Sequence, residues 1–133
     1  MTRLGYRGYI ASRPIAGERT AQHVQNLVVR DYARRKGLSF LLSATEYAMP
    51  ECYMMLEQVL DELPAIEGVI CYSLGMLPDD PVRRREVWRG VLDAGASLHG
   101  ALEGIAVRSE ADVTRVEDIW LVRKLLPSCP TAL

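Results

Sequence analysis

Residues able to bind anions or move protons gather in four short stretches of this chain, each at or just after an apolar run. Ser12 and Arg13 follow Gly8-Tyr9-Ile10-Ala11, and Arg19 stands just before a helical pattern. Two guanidiniums beside a helix amino terminus make an anion site, suited to a sugar phosphate or a nucleotide-linked sugar. The competing reading is that Arg13 and Arg19 pair with Glu18 and other surface carboxylates. His23 lies three residues beyond Thr20, where the helix dipole disfavours the imidazolium and leaves a base, unless the ring is merely exposed at the rim. Glu46 and Glu51 occupy the loop after the second apolar run. Glu46 is an acid, base or hydroxyl binder there, and Glu51 complements a helix dipole. Tyr72 and Ser73 close the third run as ligand contacts. On an alternating strand Ser97, His99, Ala101 and Glu103 share a face, which offers an imidazole–carboxylate pair for acid–base work. A hydrogen-bonded core histidine is the alternative for His99.

Those residues need elements to hold them. Strands are expected at 8–12, 38–43, 69–74 and 97–102, each short, apolar and bounded by Gly, Pro or polar residues. Between them Ala21, Val24, Leu27, Val28 and Tyr32 recur at helical spacing, with Thr20 as cap and Gly37 as stop. Cys52, Leu56, Val59, Leu60 and Leu63 mark a second helix from Pro50, and Val87, Trp88, Val91 and Leu92 a third ending at Gly95. Val113, Val116, Ile119, Trp120 and Leu126 mark the last, with residues 127–133 as a flexible tail. Strand and helix alternate throughout. The expected fold is a single α/β domain over residues 1–133, a doubly wound, mainly parallel four-stranded sheet flanked by helices. Ligands of such sheets bind beyond the carboxyl ends of the strands, which is where the candidate residues fall.

Composition narrows the function. Sixteen basic and seventeen acidic residues leave a net charge of -1, giving no reason to expect nucleic acid as a partner. Arg83-Arg84-Arg85 reads as a solvated helix face near Asp79 and Asp80. No apolar run reaches eighteen residues and no secretory signal opens the chain, so no membrane partner is expected and the location is cytoplasmic. Cys52, Cys71 and Cys129 lack a CxxC spacing and read as free thiols. No H-x-H or HExxH spacing and no Gly-rich phosphate loop occurs, so neither a metal nor another cofactor is expected. The last helix and Trp120 suggest a homo-oligomer.

Four blocks carry a resemblance: 7–14 (RGYIASRP), 22–26 (QHVQN), 42–49 (LSATEYAM) and 72–74 (YSL). Over about 5–125 the chain resembles the sporadic carbohydrate cluster protein family, small bacterial proteins encoded among carbohydrate-biosynthesis genes. That resemblance implies a sugar or polysaccharide pathway and no particular reaction. A more distant resemblance is to the serine recombinase, or resolvase, catalytic domain. Ser12 matches its nucleophile, but Ile10 stands where an arginine belongs, and 74–79 (LGMLPD) lacks the acid and both arginines of the second motif. Without those guanidiniums the charge on a transferring phosphate goes unstabilised, so recombination is not expected. A third similarity is to nucleoside deoxyribosyltransferases and nucleotide N-glycosidases, carried by 9–14 (YIASRP) and by Glu86 ahead of 91–95 (VLDAG). It implies Glu86 as nucleophile, although Arg83-Arg84-Arg85 replaces that family's context.

The expectation is therefore a small enzyme of bacterial carbohydrate biosynthesis that isomerises, epimerises or cleaves a sugar phosphate or nucleotide-linked sugar. Ser12, Arg13, Arg19, Tyr72 and Ser73 would bind it, and His99, Glu103, Glu46 and His23 would move protons. A nucleotide N-glycosidase using Glu86 and a non-catalytic accessory protein are the alternatives.

Overall fold

The computed structural model describes residues 4–15, 19–49 and 52–125. Five strands and four helices follow one another as β1 (Tyr6–Ala11), α1 (Gln22–Lys36), β2 (Phe40–Glu46), α2 (Met54–Asp61), β3 (Gly68–Cys71), α3 (Pro81–Asp93), β4 (Ser97–Gly100), β5 (Ile105–Val107) and α4 (Glu110–Leu125). The sheet order is β2-β1-β3-β4-β5. The first four strands run parallel, and β5 returns antiparallel to β4. The architecture is α/β, with a mixed five-stranded sheet in place of four strands.

The fifth strand comes from a tight turn. Residues 101–104 fold back on β4, with Gly104 at φ 70° and its N–H donating to Gly100 O at 2.8 Å. A glycine reaches that left-handed conformation without Cβ strain. Three residues, Ile105-Ala106-Val107, are too few to show an alternation, so β5 is invisible to periodicity.

Helix and strand ends also differ from the sequence expectation for identifiable reasons. Thr20 does not cap α1. Ala21 holds that position without a side-chain bond, and the Thr20 carbonyl accepts from Gln25 Nε2 instead. At the other end Gly37, at φ 68°, donates to Ala33 O and Arg34 O and stops the helix. β2 runs to Glu46, past the expected end at residue 43. The helical geometry of α2 begins at Met54, where Glu46 captures the backbone N–H groups of Met55 and Leu56. β3 ends at Cys71, and Leu74–Met76 form a 3-10 turn. Pro50, Glu51, Glu18, Leu126, Cys129 and the tail 127–133 lie outside the described residues.

The sheet separates two different interiors. One face carries Tyr6, Gly8, Ile70, Ser97 and His99 and receives α1 through buried Gln25, Val29, Tyr32 and Ala33. The other carries Tyr9, Val69, Cys71 and Leu98, all fully buried, with Leu56 and Val59 of α2 and Val87, Trp88 and Val91 of α3. The strands β3 and β4 are buried at every residue, which matches the near-continuous apolar sequence of β3, while β4 buries Ser97 and His99 as hydrogen-bonded polar groups.

Arg84 corrects the solvated reading of the basic run. It is 5 % exposed and makes a two-pronged bond to Glu117 of α4, Nε at 2.7 Å and NH2 at 2.8 Å. Its third nitrogen donates to Pro78 O and Asp79 O, and its guanidinium lies 4.5 Å over the Trp120 ring. Trp88 Nε1 donates to the same carboxylate at 2.9 Å. The Arg84 bond, with help from Trp88, holds the Glu117 carboxyl below the ordinary carboxylate pKa. This cluster fastens α4 to α3 and to the loop before it. Arg84→Met is expected to lower folding stability by about 3 kcal/mol, because it strands a carboxylate and two carbonyls together. A denaturant midpoint within error of the parent protein would show that α4 docks without it.

Candidate functional site

The carboxyl ends of β1, β3 and β4 meet at one rim, and side chains from neighbouring elements fix its backbone. Gln25, fully buried, accepts from Ala11 N at 3.0 Å while its Nε2 donates to Ala11 O at 2.7 Å and Thr20 O at 2.8 Å. One amide thus bridges the end of β1 to the start of α1, which brings Ser12 and Arg19 to the same corner. Ser12 Oγ donates to Glu46 O at 3.3 Å. Arg19 is exposed, and so is His23 on the first turn of α1. Arg13 donates to Cys52 O at 2.7 Å and Met76 O at 3.5 Å, with its guanidinium 4.8 Å over Tyr53. Arg83 lies 4.9 Å over the same ring, so Arg13 is an organiser of the rim backbone before it is a free cation.

Tyr72, Ser73 and Glu103 form the middle of the rim. Tyr72 continues the sheet by donating N–H to Tyr9 O and accepting from Leu102 N. Ser73 Oγ donates to Glu103 Oε2 at 2.7 Å and accepts from Gly75 N at 3.0 Å, while Glu103 Oε1 accepts from Leu74 N at 3.0 Å. Gly100 is required here: a Cβ would stand 2.6 Å from both Glu103 Oε1 and Leu74 Cγ. Glu103 is half-buried, and both its carboxylate oxygens accept hydrogen bonds. Cys71, beneath it, has its thiol pKa pushed up by burial and by that carboxylate, and stays protonated.

Glu46 is not a loop residue. It ends β2 with 1 % exposure and accepts from Tyr9 OH at 2.7 Å, Leu56 N and Met55 N at 3.1 Å, and Tyr47 N at 3.2 Å. Burial, reinforced by this carboxylate, raises the Tyr9 phenol far above its ordinary pKa, so the hydroxyl remains a donor. A carboxylate with every oxygen engaged at the amino end of α2 anchors that helix and has no access to a ligand.

His99 and Glu103 are not brought together. The strand ends at Gly100, and the turn at 101–104 breaks the alternation that would put them on one face. His99 points toward α1, 1 % exposed, with Nδ1 2.7 Å from Tyr32 OH and Nε2 2.9 Å from Ser97 Oγ. The rings of Tyr6 and Tyr32 meet it edge-on at 5.4 Å. Burial, with Arg108 and Lys36 nearby, lowers its pKa to about 4, so the ring is neutral near pH 7. It is the hydrogen-bonded core histidine of the alternative reading.

Ser12, Arg13, Arg19, Tyr72, Ser73 and Glu103 thus lie beyond strand ends on one side of the sheet, with Tyr72 and Ser73 buried at 8 % and 3 % exposure, His23 is exposed on α1, and Glu46 and His99 are withdrawn into the two interiors. Glu86 stands elsewhere, exposed in a groove of about 300 Å³ between α2 and α3 with Tyr53, Glu57 and Arg83. Gln25 was missed, although a glutamine interrupting the apolar stripe between Ala21 and Tyr32 was its visible signal. Among the described residues no three His, Cys, Asp or Glu side chains converge as a metal would require, and no helix is long and apolar enough to cross a membrane.

No protein-family model matches the chain, and no curated protein matches it. Two solved structures share its fold. The N-terminal catalytic domain of TP901-1 integrase is 16 % identical, superposes with a TM-score of 0.59, and aligns over 93 % of this chain and 98 % of its own. A resolvase family site-specific recombinase from Streptococcus pneumoniae is 10 % identical with a TM-score of 0.58, over 93 % of this chain and 95 % of its own. At such identities the likeness is one of fold. On this frame Ile10 is a core residue with 4 % exposure, and Gly75 and Met76 sit in the turn after β3.

Two measurements test the interior assignments. Glu46→Gln puts an amide NH2 against backbone donors and is expected to cost about 2 kcal/mol in chemical denaturation. Unchanged stability would mean the carboxylate is not an anchor. For His99 the folded pKa lies below the unfolded one, so the unfolded chain takes up the proton first as pH falls. Its contribution is complete above about pH 6.5 and is lost toward pH 4, roughly 3 kcal/mol in all. His99→Gln is expected to flatten the stability profile across that window, and an identical slope would refute the assignment.

Proposed function

We propose that the chain is a small enzyme of carbohydrate biosynthesis that binds a sugar phosphate or nucleotide-linked sugar at the carboxyl rim, with Glu103 as its acid–base group. The placement of Ser12, Arg19, Ser73 and Glu103 beyond the ends of the adjacent parallel strands supports this reading. Arg19 is exposed beside the uncapped amino terminus of α1, a placement suited to a phosphate. Glu103 is held in a fixed orientation by Ser73 Oγ and Leu74 N and is half-buried rather than sealed in the core, which suits a general acid or base. The sugar comes from the resemblance to the sporadic carbohydrate cluster family carried by 7–14, 22–26, 42–49 and 72–74.

DNA strand exchange is not proposed despite the shared fold, because Ile10, Met76 and Asp79 stand where the recombinase motifs carry guanidiniums. The Glu86 alternative is not adopted, because Glu86 lies on α3 in the groove between α2 and α3 and not beyond a strand end. A second reading, a ligand-binding accessory protein without turnover, is favoured by one observation: Glu46 and His99 are both consumed by internal hydrogen bonds.

Titration calorimetry and product analysis with a panel of hexose phosphates and nucleotide-linked sugars separate these readings. Arg19→Ala is expected to weaken binding about tenfold. Glu103→Gln keeps an acceptor for Leu74 N, so binding should persist while turnover disappears. Binding with no turnover in the parent protein selects the accessory role, and no binding of any panel member sinks both.

A further inference from the structure

We propose that the groove between α2 and α3 is a docking site for a basic peptide segment of a partner protein, one that sets arginine or lysine side chains next to apolar ones. The groove holds about 300 Å³, and its floor is apolar. Leu56 and Leu60 lie one turn apart on α2, and Val87 of α3 lines the same trough. Gly90 interrupts the α3 wall, at a place where an added Cβ would meet nothing within 4 Å. A glycine inside a helix costs about 1 kcal/mol relative to alanine, and no close neighbour requires this one. What its missing side chain does is keep the trough open.

The charges along the groove select the sign of its occupant. Glu57 and Asp61 stand one turn apart on α2, and Glu86 stands on α3. Arg83 is the cation that lines it. Its NH2 meets Glu57 at 3.1 Å and its guanidinium lies 4.9 Å over the Tyr53 ring. This end of the groove thus seats a guanidinium with a carboxylate and an aromatic face. Asp61 and Glu86 repeat the carboxylate part of that seat without a cation, since among the described residues neither takes part in an ion pair. Asp61 also ends α2, where the helix dipole is negative and the last turn carries no basic residue. A positive group entering beside them is attracted by both carboxylates and by the helix end.

Neither a metal ion nor a free amine matches the whole groove. Among the described residues no three His, Cys, Asp or Glu side chains converge as a metal would need, so these carboxylates require cations spaced along the trough. A linear polyamine supplies the spaced charges and leaves the apolar floor uncovered. A peptide that alternates cationic and apolar side chains meets the carboxylates and covers the floor together.

The probe is a capped peptide of alternating leucine and arginine, titrated into the full chain by calorimetry and by amide chemical-shift mapping. A Kd of about 100 μM or tighter is expected, rising with salt, with the shifted amides in α2 and α3. Gly90→Met puts a good helix former into the trough, so it should weaken binding at least about tenfold while the melting temperature does not fall. Asp61→Asn combined with Glu86→Gln should weaken it about tenfold as well. A Kd above about 1 mM, shifts that lie elsewhere on the molecule, or undiminished binding by Gly90→Met would each overturn the proposal. So would equal binding of a leucine–glutamate peptide or of spermine.

Discussion

A parallel sheet must end its strands somewhere, and at that rim every backbone N–H and C=O that leaves the ladder still needs a partner. This constraint shapes the whole carboxyl side of the molecule. Gln25 satisfies the end of β1 and the entry to α1, Glu46 the start of α2, and Glu103 the turn after β3. An unpaired buried polar group costs on the order of 1–3 kcal/mol, so these side chains are as much a part of the fold as the apolar core. Gly100, by giving up its Cβ, makes the third of them fit.

The same constraint explains why the candidate site was only half legible. The order of elements, the parallel pairing of four strands and the position of the rim follow from apolar runs and their Gly and Pro boundaries. What the sequence conceals is whether a polar residue at the rim looks outward or inward. Glu46 and Glu103 are the same residue type near strand ends, the last residue of β2 and the turn beyond β4, yet one is sealed under α2 and the other is half-buried. The difference lies in a tertiary neighbour. Met55 and Leu56 approach Glu46 from across the chain, and no local pattern records that approach. His99 misleads in a related way. Alternation with Glu103 holds only while the strand lasts, and Gly104 ends it through a turn with a three-residue return strand that carries no periodic signal.

The two faces of the sheet solve burial differently, and that bears on which of them can carry a ligand. The α2–α3 face is packed with aliphatic and aromatic side chains around Tyr9, whose hydroxyl is bound to Glu46. The α1 face holds a polar chain, Tyr32–His99–Ser97, beneath a single helix. A neutral imidazole with both nitrogens engaged gives that interior direction, because a hydroxyl must be presented at each end in a fixed geometry. It also makes α1 register-specific, since Tyr32 meets His99 only when Gln25 meets Ala11 two turns earlier. The rim corner of Ser12 and Arg19 is thus set by a contact deep inside the sheet face.

Frame and chemistry separate along the same line. The two recombinase structures share the topology over nearly the full length at 10 % and 16 % identity. At such identities the shared frame is one of fold and says nothing of the rim. In this chain Ile10 is a core residue, Met76 is buried in the turn after β3, and the cations near the rim are employed internally. Arg13 is tied to two carbonyls and Arg84 to Glu117 and two more. An arginine whose donors are satisfied by the chain has little left for a phosphate, because trading those bonds for a ligand's would reopen the backbone they close. Among the described residues Arg19 makes no such bond, and it stands exposed at the start of α1.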